Sequence, residues 1–250
     1  MSLVQRAYDH IRTKLSHEEL GEDYGLSEPA LARELQISRT PVREAIRRLE
    51  SEGILEQRPR QGTFIRQLDR KELDEIFQLR LLLEPFAAAE AAGKIGRSQL
   101  DELEHAADES LRYARLIRGA ASSEERSALW LEHRQVDIAF HEIILAAADN
   151  QRISKIVVDA RILLKAMSFP ETTVSRAVDT LARNYRQHSR IFRAIRDQDS
   201  RGAHDRMYEH LSLGWKSVRE FMDSLPHDLQ AGTVDPKDVL PTRHWRNGGC

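Results

Sequence analysis

Four side chains of ligand type fall on inward-facing helical stripes of this chain: Asp137, His141, His188 and His210. Asp137 and His141 are one helical turn apart and project from one face, which also carries Trp130, Phe140 and Ile144. His188 shares the stripe of Leu181, Tyr185, Phe192 and Ile195, and His210 that of Ala203 and Met207. Burying four such groups without partners is costly. One divalent cation held by a carboxylate and three imidazoles would satisfy all of them. That donor set suits zinc or nickel, admits manganese or iron, and leaves positions for water or an effector oxygen. The plainer alternative is an Asp137–His141 ion pair with hydrogen-bonded core histidines. His105, His133 and His204 sit beside charged neighbours and are expected at the surface.

A second chemistry lies in the stretch SRTPVREAIRRLESEGILEQRPRQGTFI, residues 38–65. Arg39, Arg43 and Arg47 recur at helical spacing on one side of a short helix. An arginine fork matches a guanine edge with two hydrogen bonds. Ser38 and Thr40 stand at the helix start, where phosphate contact is natural. Gly62, in the tip Arg58-Pro59-Arg60-Gln61-Gly62, lets a hairpin approach a sugar-phosphate backbone without a side chain in the way. The alternative is a solvated arginine face paired with Glu44 and Glu50. Arg80 raises a third question, because it shares an apolar stripe with Leu73, Ile76, Leu83 and Ala87 and there needs an anionic partner. Glu84, one turn on, is one choice; an effector carboxylate held by two parallel bonds is the other. Asn150, at the start of a helix beyond the metal face, is a weaker effector-binding candidate.

The elements that must position these groups are mainly α-helical. Up to about Arg66 the pattern reads helix, helix, helix, hairpin: a winged helix-turn-helix. Leu3 to Leu15 is amphipathic, Glu28 to Leu35 carries Leu31, Ala32 and Leu35, and a third helix starts near Ser38 or Thr40, with Pro41 tolerated in its first turn. Val42, Ala45, Ile46 and Leu49 form its inward stripe, Gly53 ends it, and Thr63-Phe64-Ile65 is the clearest strand signal. Six helices follow: 71–92, 98–117, 124–148, 153–167, 174–197 and 200–224. Short loops between them describe an all-α antiparallel bundle. The expected organisation is a DNA-binding domain at 1–68, a helical domain at 69–225, and a Pro/Gly/Asp-rich tail at 226–250 without regular structure.

With 250 residues, the chain has 40% hydrophobic and 31% charged residues, enough for two small cored domains. Its single cysteine, Cys250, permits no internal disulfide. No signal peptide or membrane span is evident, so a cytoplasmic protein is expected. The net charge of −2 argues against a broadly basic nucleic-acid binder. Yet Arg33 to Arg66 holds eight Arg against five Glu, a basic patch whose specific binding would lean on groove contacts and on dimerisation.

The segment LARELQISRTPVREAIRRLESEGILEQRPRQGTFI, Leu31 to Ile65, closely resembles the DNA-binding signature of the GntR family of bacterial transcription regulators. The resemblance implies that Arg39 and Arg43 contact bases and backbone and that Gly62 approaches the minor groove. Members commonly place a basic residue where this chain has Pro29, so Arg33 is expected to supply that phosphate contact. Asp137-(three residues)-His141, QHSRIFRAI at 187–195 and MYEHL at 207–211 resemble the FCD effector domain of the FadR-type branch. That resemblance implies a metal on Asp137, His141, His188 and His210, and an arginine at Arg80 facing an effector cavity. The expected protein is a dimeric, ligand-responsive repressor. It would bind a palindromic double-stranded operator and respond to a small organic or sugar acid near the metal. A metal-dependent hydrolase tethered to DNA, or a regulator with a purely structural metal, are the competing readings. The first lacks an evident general base beside the ligands, since Glu142 would point away.

Overall fold

The computed structural model of the chain describes residues 1–16, 25–59, 61–165 and 174–224. The tail at 226–250, and Arg60 of the wing, lie outside the described residues. The molecule is mainly helical and divides into two compact units.

The first unit runs Met1–Leu68 and takes in the end of a later helix from Val158. Helix α1 (Leu3–Ser16) buries Ala7, Tyr8, Ile11 and Leu15, one residue per turn of a single face. Helix α2 (Glu28–Leu35) begins at Ser27, whose hydroxyl accepts from the Ala30 amide, and Pro29 occupies its first turn, where no amide is missed. Helix α3 (Arg39–Ser51) buries Val42, Ala45, Ile46 and Leu49 against those two. Ser38 stands at its cap position, although its side chain makes no capping hydrogen bond. Gly53 adopts φ +73°, a left-handed conformation that suits glycine and releases the chain from α3 into the wing.

Three short strands complete this unit: β1 (Gly25–Leu26), β2 (Leu55–Arg58) and β3 (Gly62–Ile65), antiparallel in the order β1-β3-β2. Arg58 pairs with Gly62 at the tip, and Leu55 with Ile65 at the base, where both are buried. The sequence pattern contained β2 and β3 but not β1. Two residues are too few for an alternation signal, and Gly25 and Leu26 are strand only because β3 offers them an edge.

The second unit runs Asp69–Val157 and takes in the last two helices. Helix α4 (Arg70–Lys94) starts with a reciprocal capping box between Asp69 and Glu72, which moves its start one residue ahead of the expected Lys71. Helices α5 (Arg97–Gly119) and α6 (Ser123–Ala147) follow, the latter capped by Ser122. Helix α7 (Gln151–Lys165) opens at Asn150, whose Oδ1 accepts from the amides of Arg152 and Ile153. Helices α8 (Val174–Arg196) and α9 (Ser200–Ser224) close the bundle. Short connections return the chain at each step, so sequential neighbours run antiparallel. Ala88, Ala91 and Ala92 of α4 are fully buried and admit close packing with Leu103, Phe140, Ile144, Phe192, Ile195 and Met207 in the main core. No helix among the described residues is long and apolar enough to cross a membrane.

Candidate DNA-reading face and metal centre

On α3 the polar face follows from the buried one. With Val42, Ala45, Ile46 and Leu49 turned inward, Arg39, Thr40, Arg43 and Arg47 are exposed. Arg39 and Arg47 make no hydrogen bond or ion pair among the described residues. Arg43 is engaged: its Nε lies 3.2 Å from both carboxylate oxygens of Glu28, and its Nη2 lies 3.0 Å from one of them. The carboxylate on this face therefore comes from α2, fifteen residues back, and not from Glu44 or Glu50. Arg33 is exposed on α2, its Nε donating to the Pro29 carbonyl at 3.3 Å. Arg33, Ser38 and Arg39 together line an open depression at the α2–α3 turn. At the wing tip Gly62 is exposed with φ +123°, a backbone conformation that a side chain would strain. A rigid helix presenting three arginines beside a narrow wing is the geometry of groove reading with a backbone contact alongside.

In the helical unit, α6 supplies Asp137 and His141, α8 supplies His188 and α9 supplies His210. One ligand atom from each lies within 4.8 Å of the other three. Opposite ligands of a metal with bonds of ~2.1 Å would stand about 4.2 Å apart, so the four groups are close to coordinating distance. His141 and His188 are fully buried, while Asp137 and His210 are half-buried. The His188 ring stacks on Phe140 with centroids 3.9 Å apart and planes 8° from parallel, and lies 4.8 Å from the His210 ring.

Two neighbours fix which nitrogen each imidazole offers. His141 donates from Nδ1 to Glu84 Oε2 at 2.6 Å, and His210 Nδ1 faces Gln187 Oε1 at 2.9 Å. Both rings therefore turn Nε2, with its lone pair, away from these partners. His188 differs. Both of its nitrogens are buried without a hydrogen bond, and Nε2 approaches Asp137 Oδ1 only to 3.6 Å. A buried imidazole with no partner is an uncommon and unfavourable arrangement, and coordination relieves it. Burial, then the neighbouring His210, holds the His188 imidazole well below the usual histidine range. Burial, then His141, pushes His210 down to about 3. Neutral imidazoles are the form that binds metal. The donor set thus fits a divalent cation.

Arg80 is buried at 8% exposure, and its Nε donates to Glu84 Oε1 at 2.5 Å. The anionic partner is therefore the residue one turn on. Among the described residues its two terminal nitrogens make no hydrogen bond. Asn150 caps α7 and is not one of the four clustered groups. His105 and His204 are exposed as expected, but His133 is not. It is buried, with Nε2 3.0 Å from Ser110 Oγ and its ring among Tyr113 and Trp130. Its charged neighbours Glu132 and Arg134 point elsewhere, whereas the helical stripe Trp130–His133–Asp137 sets its direction. Gln187 was also missed as a functional residue. It carries no motif of its own, and only the approach of α8 to α9 brings it to His210.

Two protein families match the sequence: "FCD domain" over residues 75–213 and "Bacterial regulatory proteins, gntR family" over residues 3–65. Among characterised relatives, the HTH-type transcriptional repressor RspR of Escherichia coli (strain K12) is 26% identical over 219 residues, covering 86% of this chain and 89% of its own. The HTH-type transcriptional regulator YdhC of Bacillus subtilis (strain 168) is 25% identical over 198 residues, covering 79% of this chain and 83% of its own. The solved structure of E. coli McbR/YncC shares the fold with a TM-score of 0.66 at 20% identity, over 88% of this chain and 98% of that one.

Proposed function

Since the chain belongs to the GntR family of bacterial regulatory proteins, with an FCD domain behind its DNA-binding domain, we propose that it is a dimeric repressor released from its operator by a small carboxylate-bearing metabolite. It is a DNA-binding transcription regulator with a ligand-responsive domain, as its family is. Residues 1–68 read the operator, with Arg39, Arg43 and Arg47 in the major groove. Ser38, Thr40 and Arg33 rest on phosphates, and Gly62 brings the wing to the backbone. Two copies read the two halves of a palindrome, which compensates for the small basic surplus of a single copy. The helical domain holds a divalent cation, zinc before nickel, manganese or iron, on Asp137, His141, His188 and His210. The effector carboxylate reaches the terminal nitrogens of Arg80.

The observation that carries this reading is His188: fully buried, neutral, and lacking any hydrogen bond at the point where three other ligand groups converge. A bundle evolved only to hold its helices together gains nothing from such a residue, and an apolar ring would serve better. In this reading the metal supplies a Lewis-acidic anchor for an effector oxygen, and effector and operator weaken each other reciprocally. The test is a thermal-shift screen of zinc-loaded protein against organic and sugar acids, followed by operator binding with each acid that stabilises the protein. An acid that raises the melting temperature and loosens the operator complex supports the proposal. If metal removal unfolds the protein while no acid alters operator affinity, the metal is structural and the sensor reading fails.

A further inference from the structure

We propose that Glu84 is the positioning residue that joins the two halves of this site, holding His141 for the metal and Arg80 for an anion. It thereby makes anion binding at Arg80 conditional on the metal. This rests on the sensor reading above in assuming that the cluster takes a cation. Glu84 is 1% exposed, and its carboxylate spans the two groups: Oε1 accepts from Arg80 Nε at 2.5 Å and Oε2 accepts from His141 Nδ1 at 2.6 Å. A buried carboxylate persists only where its charge is matched and its oxygens are bonded. Here one oxygen serves the arginine and the other the imidazole.

Two consequences follow from that arrangement. First, accepting the Nδ1 proton fixes the His141 tautomer and leaves the Nε2 lone pair for the cation, as carboxylate–histidine pairs do in metal sites. Second, the charges do not balance without a metal. With the imidazoles neutral, ionised Glu84 and Asp137 outweigh Arg80 by one negative charge. An incoming carboxylate would raise that to two in a buried setting. A divalent cation turns the same cluster to one positive charge, which one carboxylate neutralises. His210 is electrostatically sensitive to both Arg80 and Glu84, so the arginine end of the chain borders the metal end. The terminal nitrogens of Arg80, unbonded among the described residues, are the groups an anion would meet, and Glu84 keeps them aimed by occupying Nε alone.

The test uses the full chain, zinc alone as the metal probe, and acetate as the minimal carboxylate, with ionic strength matched by chloride. In wild-type protein, acetate should bind the zinc-loaded form at least about tenfold more tightly than the zinc-free form, a coupling within the usual allosteric range. Glu84→Gln should weaken zinc by about 10- to 100-fold, as loss of a ligand's partner does. It should also shrink the acetate coupling, because the metal-free cluster is then neutral. Imidazole nitrogen NMR of zinc-free wild-type protein needs no variant to fold, and should show His141 protonated at Nδ1. A His141 proton on Nε2, unchanged zinc affinity in the variant, or an undiminished coupling overturns the role of Glu84. Acetate that ignores zinc in the wild-type protein overturns the conditional binding. If acetate couples to zinc as described while no acid alters operator affinity, the Glu84 inference stands and the repressor reading fails.

Discussion

Replacing His188 with Phe separates what that residue contributes to folding from what it contributes to metal binding, because the two effects have opposite sign. In metal-free wild-type protein both imidazole nitrogens are buried without partners. Leaving such a group unsatisfied costs about 1–3 kcal/mol. Phenylalanine removes that penalty and keeps the parallel ring contact with Phe140 at 3.9 Å. Its larger ring, placed among His141 and His210, returns roughly 1 kcal/mol as overpacking. The metal-free His188→Phe protein should therefore be more stable than wild type by about 1–2 kcal/mol. For a domain of this size that is a rise of ~2–8 °C in melting temperature. Zinc at a hundred times its dissociation constant should stabilise wild type by about 2.7 kcal/mol and the variant hardly at all. The ranking of the two proteins then reverses when zinc is added. Differential scanning calorimetry with and without chelator reads both effects. A variant less stable than wild type in chelator shows that His188 is satisfied in the native core. A variant that keeps the full zinc shift shows that His188 is no ligand.

Two further outcomes can be checked directly. Arg43→Ala should weaken operator binding by roughly 1–3 kcal/mol if Arg43 reads a base edge, and unchanged affinity in a gel-shift titration would remove it from the readout. Metal-free protein should lose stability as pH falls through about 6.5, where unfolded histidines take up protons that His188 and His210, held low by burial, refuse. The loss should reach about 2 kcal/mol for a single such residue by pH 5 and be recovered above pH 7.5. A flat melting profile across that range would contradict the depressed values.

Much of this architecture is legible from residue spacing, and the illegible parts share a physical cause. The buried stripe Val42, Ala45, Ile46 and Leu49 follows from the period of the helix, and the exposed arginines follow from the stripe. Asp137 and His141 are legible as a pair because four residues make one turn. Helix α9 occupies Ser200–Ser224 as its pattern predicts, while α4 and α7 begin earlier than their apolar patterns, where Asp69 and Asn150 supply caps. What spacing does not contain is the relation between elements distant in sequence. Glu28 reaches Arg43 because of how α2 crosses α3. Glu84 was visible as a neighbour of Arg80, but its bond to His141, 57 residues on, depends on the packing of α4 against α6. Gln187 is hidden for the same reason. His133 is an error of another kind, since its neighbours in sequence were weighed in place of its neighbours on the helix face.

The Arg43–Glu28 pair has a consequence for how such a protein would search a genome. An arginine that already holds a carboxylate carries its own counterion, so it exchanges one anion for another on reaching DNA and releases little salt. Random sequence offers Arg43 only phosphates, which compete with Glu28 on nearly equal terms and bring it close to a repelling carboxylate. A guanine edge offers two directed bonds in place of two, so the swap favours DNA only where base and fork align. The pair is exposed and weak enough to open readily, with an exposed ion pair contributing about 0–1 kcal/mol. Glu28 would thus act as a gate against residence at wrong sites, shortening each unproductive stop without greatly taxing the right one.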